Sequence, residues 1–380
     1  MSSRPIPNSP QLNVSEINGP IDATGILSMR VRRHREFGLY DVNGIPLPNG
    51  DVAGSLTHST PLPKSPGHAP EKVVDGPILF AGLAPQQFGH AILNSLGRLW
   101  ALDHLPSDTA LLYLPQIRAI PARYPYVQPL LNMLGINAQL ILHDRPTRYL
   151  SLFTAEDDFG ERHGGKMTAR MRNWLERRLP PIGPVTNGRK VYFTRSRLGF
   201  SAGRFCNEDL LEQLLIAAGY EIVAPELLSL ADQVAVMQDA ETLVFAESSA
   251  LHLYGLVQRL EQRVCVIQRR QTLPSLIKTQ LLDGPSKLHF VEVISSIHWP
   301  AKPEENISIA VLDFARLRDA FVATGCISSK AEWRAPDTDE IAASLHAGLP
   351  PGSCLIPDHE RPRWLRRHRS QRKSAKTFKF

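Results

Sequence analysis

Apolar positions along the chain alternate between two patterns. Short continuous apolar runs read as buried strands. Between them, apolar residues recur every three or four positions, as on one face of a helix. Residues 76–82 (Gly-Pro-Ile-Leu-Phe-Ala-Gly) predict a strand feeding a helix over about 87–103. At 100° per residue, Ile92, Leu93, Leu96, Leu99 and Trp100 share one arc of that helix and predict its core face. His90, Asn94, Gly97 and Ala101, with Arg98 beside them, fall on the opposite side and are expected to be exposed. Strands are predicted at 110–114, 139–142 and 148–152, and helices at 127–134 and 166–178. Alternation of this kind predicts an α/β lobe with parallel strands over 76–180.

Residues 179–188 are rich in Pro and Gly and read as a linker. A second α/β pattern then runs over 185–300, with strands at 190–194, 220–223, 242–246 and 263–267. Asn207 is expected to cap a helix ending near Ala218, with Glu208 and Asp209 in its first turn and Gly219 as its stop. Ser229 is expected to cap a helix to Asp239, and Ser248 or Ser249 to open another. The fold class expected is therefore α/β with two Rossmann-like lobes. Residues 1–75 predict an irregular segment in which Gly25-Ile-Leu-Ser-Met is a candidate edge strand and 64–75 a loop. Residues 301–355 read as a C-terminal extension, and 356–380 as a disordered basic tail.

Charge sharpens the last assignment. The net charge is +6, but residues 361–380 hold nine Lys or Arg and no Asp or Glu. Removing those nine from 43 leaves 34 basic against 37 acidic residues, so the body is close to neutral. Such a run is either an inert solvated tail or a patch that docks on anionic lipid. Nucleic acid is not an expected partner, because no binding motif or aromatic interleaving accompanies the charge. The first residues lack an apolar core of the secretory type, no stretch reaches the length of a membrane span, and Cys206, Cys265, Cys326 and Cys354 are widely spaced. These features predict a cytoplasmic protein without a zinc site or disulfide framework.

In open α/β sheets, ligands bind at the carboxyl ends of strands. Arg195 and Arg197 follow one predicted strand, and Glu247-Ser-Ser-Ala-Leu-His252 follows another and opens a helix. Two guanidinium groups near a helix N-terminus suit a diphosphate, which guanidinium binds bidentately. The blander readings are surface pairing of the arginines with Glu208 or Asp209, and a helix-terminal role for Glu247. Several motifs are set aside: Asp158-Phe-Gly160 echoes a kinase signature without its companions, and Asp337-Thr-Asp339 mimics a metal-binding pair but reads as a solvated loop. No phosphate-loop or dinucleotide signature occurs.

The series Lys190-Val-Tyr-Phe-Thr-Arg-Ser-Arg, Arg204-Phe-Cys-Asn-Glu-Asp-Leu-Leu, Leu214-Leu-Ile-Ala-Ala-Gly-Tyr-Glu-Ile-Val, Leu230-Ala-Asp-Gln-Val and Phe245-Ala-Glu-Ser-Ser-Ala-Leu-His resembles glycosyltransferase family 61 of the bacterial polysaccharide-biosynthesis type. Phe88-Gly-His-Ala-Ile-Leu-Asn-Ser-Leu-Gly-Arg-Leu-Trp resembles it upstream. The chain departs from the family pattern at Ala91, where Trp is common, and at Glu247-Ser248, where His-Gly is common. The resemblance implies a GT-B-like fold, inverting transfer from a nucleotide sugar to a glycan or lipid-linked acceptor, and no obligatory metal or cofactor. His90 is then either the catalytic base or a structural histidine, with Asn94 orienting it or the acceptor. Arg195, Arg197, Ser248, Ser249 and His252 become diphosphate ligands, and Glu247 a ligand of donor hydroxyls. The alternative outside enzymology is a noncatalytic α/β scaffold docked on a membrane by its tail.

Overall fold

The computed structural model describes residues 14–24, 38–41, 43, 45, 47, 49–50, 70–116, 119–180, 183–199, 202–301, 307–349 and 353–367. The architecture is mixed α/β with parallel sheets, and the chain divides into two units, Met1–Pro181 and Ile182–Phe380.

Unit 1 comprises β1 (Val14–Thr24), β2 (Gly38–Tyr40), β3 (Lys72–Ala84), α1 (Phe88–Ser95), β4 (Ala110–Pro115), α2 (Val127–Met133), β5 (Leu140–Leu142), β6 (Thr147–Ala155) and α3 (Ala169–Arg178). Its sheet runs β2-β1-β6-β3-β4-β5. Strands β6, β3, β4 and β5 are parallel, as the alternation predicts. Strands β1 and β2 add an antiparallel edge, so the N-terminal region is not wholly irregular. The loop expected at 64–75 ends early, because Lys72 already pairs with Thr147. Gly25–Met29 lies outside the described residues. One face of the sheet buries Ile78, Phe80, Leu83, Leu112, Leu114 and Leu152. Helix α1 is pinned to β3 and β4 by Ser95 Oγ donating to the Leu83 carbonyl (2.8 Å) and Tyr113 OH donating to the Ser95 carbonyl (2.9 Å). At Gly82, on β3, a Cβ would lie 2.8 Å from the Asn94 carbonyl, which is how closely the helix seats.

The helix expected over 87–103 is shorter. It stops at Ser95, and Leu99–His104 forms a 3-10 turn. Its predicted exposed face is also covered: Asn94, Arg98 and Ala101 are buried. The cover is the polar segment after β6. There the Arg98 guanidinium donates to Asp157 (3.1 Å), Asp158 N–H donates to the Gly97 carbonyl (2.9 Å), and a Cβ on Gly97 would stand 2.0 Å from Asp157 Oδ1.

Unit 2 comprises β7 (Thr186–Phe193), β8 (Arg204–Phe205), α4 (Glu208–Ala217), β9 (Tyr220–Val223), α5 (Leu230–Asp239), β10 (Ala240–Ala246), α6 (Ala250–Val257), β11 (Arg263–Ile267), α7 (Ser275–Leu282), β12 (Lys287–Val291), β13 (Ile294–Pro300), β14 (Ile309–Leu312), α8 (Phe314–Ala323), α9 (Thr338–His346) and β15 (Leu355–Pro357). The main sheet, β12-β11-β10-β7-β9, is wholly parallel. Helices α4 and α8 pack Leu211, Leu215, Leu317 and Phe321 onto Tyr192, Val244 and Cys265. The opposite face stacks Phe193 on Phe245 at 4.7 Å, with Tyr254 of α6 beyond. Local signals set the boundaries here. Ser229 Oγ accepts from Asp232 N–H (3.1 Å) at the start of α5, and Gly219 adopts φ +87° after α4.

A second sheet, β15-β13-β14-β8, uses the segment expected to be an extension, and its residues join the core of the unit. Two local expectations, a loop at 337–339 and a cap at Asn207, do not hold. Asp337 opens α9 with a reciprocal capping box to Glu340, so Asp337-Thr-Asp339 is a helix start. Asn207 precedes α4 but does not cap it by its side chain. Its Nδ2 donates instead to the Glu340 carbonyl (3.1 Å), tying α9 to α4. The tail expected from 356 onward is folded as far as 367. Residues 361–367 are helical, Trp364 packs against the unit's core, and the Arg361 guanidinium lies 3.3 Å from the centre of the Trp299 ring. Residues 368–380 lie outside the described residues.

Candidate functional site

In unit 2, chain order along the main sheet reverses between β7 and β10. From β7 the chain moves outward to β9, then returns through α5 to β10 on the other side. The loops leaving two neighbouring strands on opposite faces open a crevice at their carboxyl ends, the usual ligand position in such sheets. Charged side chains are buried there. Arg195 follows β7, Glu247 follows β10, and Arg269 and Arg270 follow β11. Arg195, Glu247 and Arg269 are 6%, 0% and 3% exposed, so none of these charges is screened by water.

The bonding of this cluster is uneven. Glu247 accepts the N–H groups of Arg269 (2.9 Å) and Arg270 (3.2 Å) and the Arg270 Nε–H (2.6 Å). Its carboxylate therefore anchors the turn after β11 and its arginine. Glu208, at the start of α4, accepts from Tyr192 OH (2.9 Å), Thr194 Oγ1 (3.0 Å) and Arg195 N–H (2.8 Å) through one oxygen. Burial raises its pKa against the pull of those donors. The Arg195 guanidinium donates to the Ala202 and Gly203 carbonyls, and that of Arg269 to Ser308 Oγ (2.6 Å). Yet the Nε–H of Arg195, the Nε–H of Arg269 and Oε2 of Glu208 are buried without a partner. Burial pushes the Arg269 guanidinium well below its ordinary pKa, and the neighbouring Arg195 charge adds to this. Burial also lowers the pKa of Arg195, with Glu208 and Glu247 opposing. Orphaned buried donors of this kind are costly, and an anionic ligand relieves them.

The other sequence-predicted residues of this unit scatter around the cluster. Ser248 is buried and its Oγ accepts from Ala250 N–H (3.3 Å), whereas Ser249 precedes α6 and is exposed. His252, in α6, donates from Nδ1 to Gln280 Oε1 (2.7 Å), and Gln280 Nε2 donates back to the His252 carbonyl. Arg197 is exposed on the loop beyond β7. Arg269 and Arg270 were not among the predicted residues. They follow a predicted strand just as Arg195 does, so the strand-end rule extended to 263–267 points to them.

Unit 1 holds a separate arrangement on α1. His90 Nδ1 donates to Glu161 Oε1 at 2.6 Å, and Asn94 Nδ2 donates both to the same oxygen (3.1 Å) and to the His90 carbonyl (2.9 Å). The His90 side chain is 28% exposed and that of Glu161 only 2%. A carboxylate acceptor fixes the proton on Nδ1 and leaves the Nε2 lone pair for a proton acceptor role. Glu161 arrives through Asp158-Phe-Gly160, the segment that merely echoes a kinase signature. Its Asp158 is gripped by Arg170 through the Nε and Nη2 donors of one guanidinium edge (2.5 and 2.9 Å), and Arg170 stacks 3.7 Å from the centre of the Trp100 ring.

Residues 88–259 match the family model described as Glycosyltransferase 61. The match begins at the first residue of α1 and ends just past α6, so it takes in His90, Asn94, Glu161, Arg195 and Glu247 but stops short of Arg269 and Arg270. It supports glycosyltransferase activity for the chain. No curated protein matches the sequence.

Proposed function

We propose that the chain transfers a sugar, with inversion, from a nucleotide-sugar donor to a hydroxyl of a glycan or lipid-linked acceptor, in the manner of a GT-B-like enzyme. The observation that carries the donor half is the pair of buried guanidinium groups, each with an unpartnered Nε–H, at the carboxyl ends of β7 and β11. When the glycosidic bond breaks, negative charge collects on the departing diphosphate. Fixed N–H donors in a water-poor site stabilise that charge without reorganising. Arg195 and Arg269 supply them in this reading, with Ser248 and the start of α6 alongside. Glu247 holds the Arg270 side of the site in shape and Glu208 the Arg195 side. Arg197, Ser249 and His252 remain proposed donor contacts.

The acceptor half falls to unit 1. Glycosyl transfer leaves a proton on the attacking hydroxyl, and a base must remove it as the bond forms. His90 takes that proton on Nε2 while Asn94 and Glu161 hold the ring. Capsule, exopolysaccharide or lipopolysaccharide synthesis at the cytoplasmic membrane face is the setting we favour, with the basic residues of 361–380 meeting anionic lipid.

The test is calorimetric titration of the purified chain with UDP and GDP, and with CMP as a control that lacks the diphosphate. One of the diphosphates should bind and raise the melting temperature. The Arg195→Ala and Arg269→Met variants should each weaken that nucleotide by roughly 30- to 700-fold, because truncating one partner of a buried charge-assisted contact costs about 2–4 kcal/mol. Unchanged affinity in both variants removes the phosphate site.

A further inference from the structure

We infer that Glu161 is a positioning residue for the base: it holds the His90 ring with its proton on Nδ1, so that the Nε2 lone pair is presented to the acceptor hydroxyl. The inference rests on the reading of His90 as the base, and it adds a residue that no strand-end or helix-face rule identifies. Three observations carry it. First, Glu161 Oε1 stands 2.6 Å from His90 Nδ1, within the range of a charge-assisted bond. Second, its side chain is 2% exposed, so the carboxylate is desolvated and its field at the ring is little screened. Third, the backbone that delivers it is constrained from both sides. Gly160 lies against the Leu93 carbonyl of α1, and Asp158 is locked by Arg170. Asn94 also donates to Oε1, which orients the carboxylate toward the ring.

Several surrounding charges are engaged elsewhere. On β3, Lys72 and Asp75 lie at the far, amino end of the strand. Helix α2 carries no titratable side chain. In the segment after β6, Asp157 pairs with Arg98, Asp158 with Arg170, and His163 Nε2 meets the Asp157 carbonyl. Arg162 is the neighbour of Glu161 in the same 3-10 turn. Glu161 is thus the anion bonded to the His90 ring.

The test reads the ring itself. Histidine titration by NMR on the full-length chain should show His90 protonated at Nδ1 in its neutral form. In Glu161→Gln, where the amide oxygen still accepts from Nδ1–H, that tautomer should persist, and hydrolysis of the nucleotide sugar that the wild type turns over fastest, chosen from a panel of UDP- and GDP-sugars, should be largely kept. Glu161→Ala, which removes the acceptor, should release the Nδ1–H tautomer and lower kcat by roughly 100-fold with little change in KM, in keeping with loss of a group that acts only through the base. If Glu161→Ala keeps the Nδ1–H tautomer and the wild-type kcat while only the melting temperature falls, Glu161 is a tether and the inference is wrong. Full turnover in His90→Ala is a different result: it removes the base reading itself and leaves the nucleotide titration untouched.

Discussion

Replacing His90 with Ala is expected to lower kcat by roughly 10²–10⁴-fold, the usual contribution of a positioned general base, while the affinity for the nucleoside diphosphate stays where it was. The separation follows from the residues involved. His90 belongs to α1 in unit 1, and it bonds to Glu161 and Asn94 of the same unit. The buried arginines belong to unit 2 and depend on Glu247, Glu208 and Ser308. An effect confined to kcat marks an interaction made only in the transition state, whereas a parallel loss of nucleotide binding marks a disturbed fold. A His90→Gln variant sharpens the reading, because an amide can replace the hydrogen bond to Glu161 but cannot take a proton. Either variant retaining wild-type turnover would falsify the assignment.

Substituting Gly160 with Ala is expected to cost about 3–5 kcal/mol, combining the backbone penalty with overpacking. Gly160 has φ +91° and ψ −142°, a region essentially reserved for glycine. A Cβ there would stand 1.7 Å from the Leu93 carbonyl oxygen, far inside contact distance, and the obstacle is helix backbone that cannot swing away. A fall of roughly 6–20 °C in the melting transition of unit 1 follows from the size of the unit. Gly164, four residues on, provides the control. It also has positive φ (+62°), but a Cβ there meets nothing within 4 Å, so Gly164→Ala should cost only about 1 kcal/mol. Equal melting of the two variants would show that α1 does not seat against this turn.

The features that were legible in the sequence are local ones. The limits of β9 and α5 follow from Gly219 and Ser229, whose backbone and side chain terminate or start an element within a few residues. Arg195 and Glu247 were legible because an apolar run ends just before each. What escaped depends on contacts between distant segments. Glu161 lies 71 residues from His90 and sits in a polar stretch that looks like an ordinary loop. The pattern of Asn94, Arg98 and Ala101 on one helical arc correctly shows a second face, but a helical wheel cannot show that the 156–161 segment covers it. The glycines are the trace this packing leaves in the sequence, since Gly82, Gly97 and Gly160 each stand where α1 or its continuation meets backbone or side chain too closely for a Cβ. Likewise, charge density alone made 361–367 look unstructured, while the informative residue was the lone aromatic, Trp364, which finds the core.

If the donor is a nucleotide sugar, as proposed, the unpartnered Nε–H groups of Arg195 and Arg269 also bear on how the reaction ends. After transfer, a nucleoside diphosphate carries about one more negative charge than the sugar ester that entered, because its terminal phosphate ionises near neutral pH. Donors buried away from water discriminate strongly between those two charges. The departing nucleotide is then expected to be held more tightly than the substrate it replaces and to compete with it as it accumulates. Progress curves should bend early and straighten when a phosphatase that destroys the free diphosphate is added.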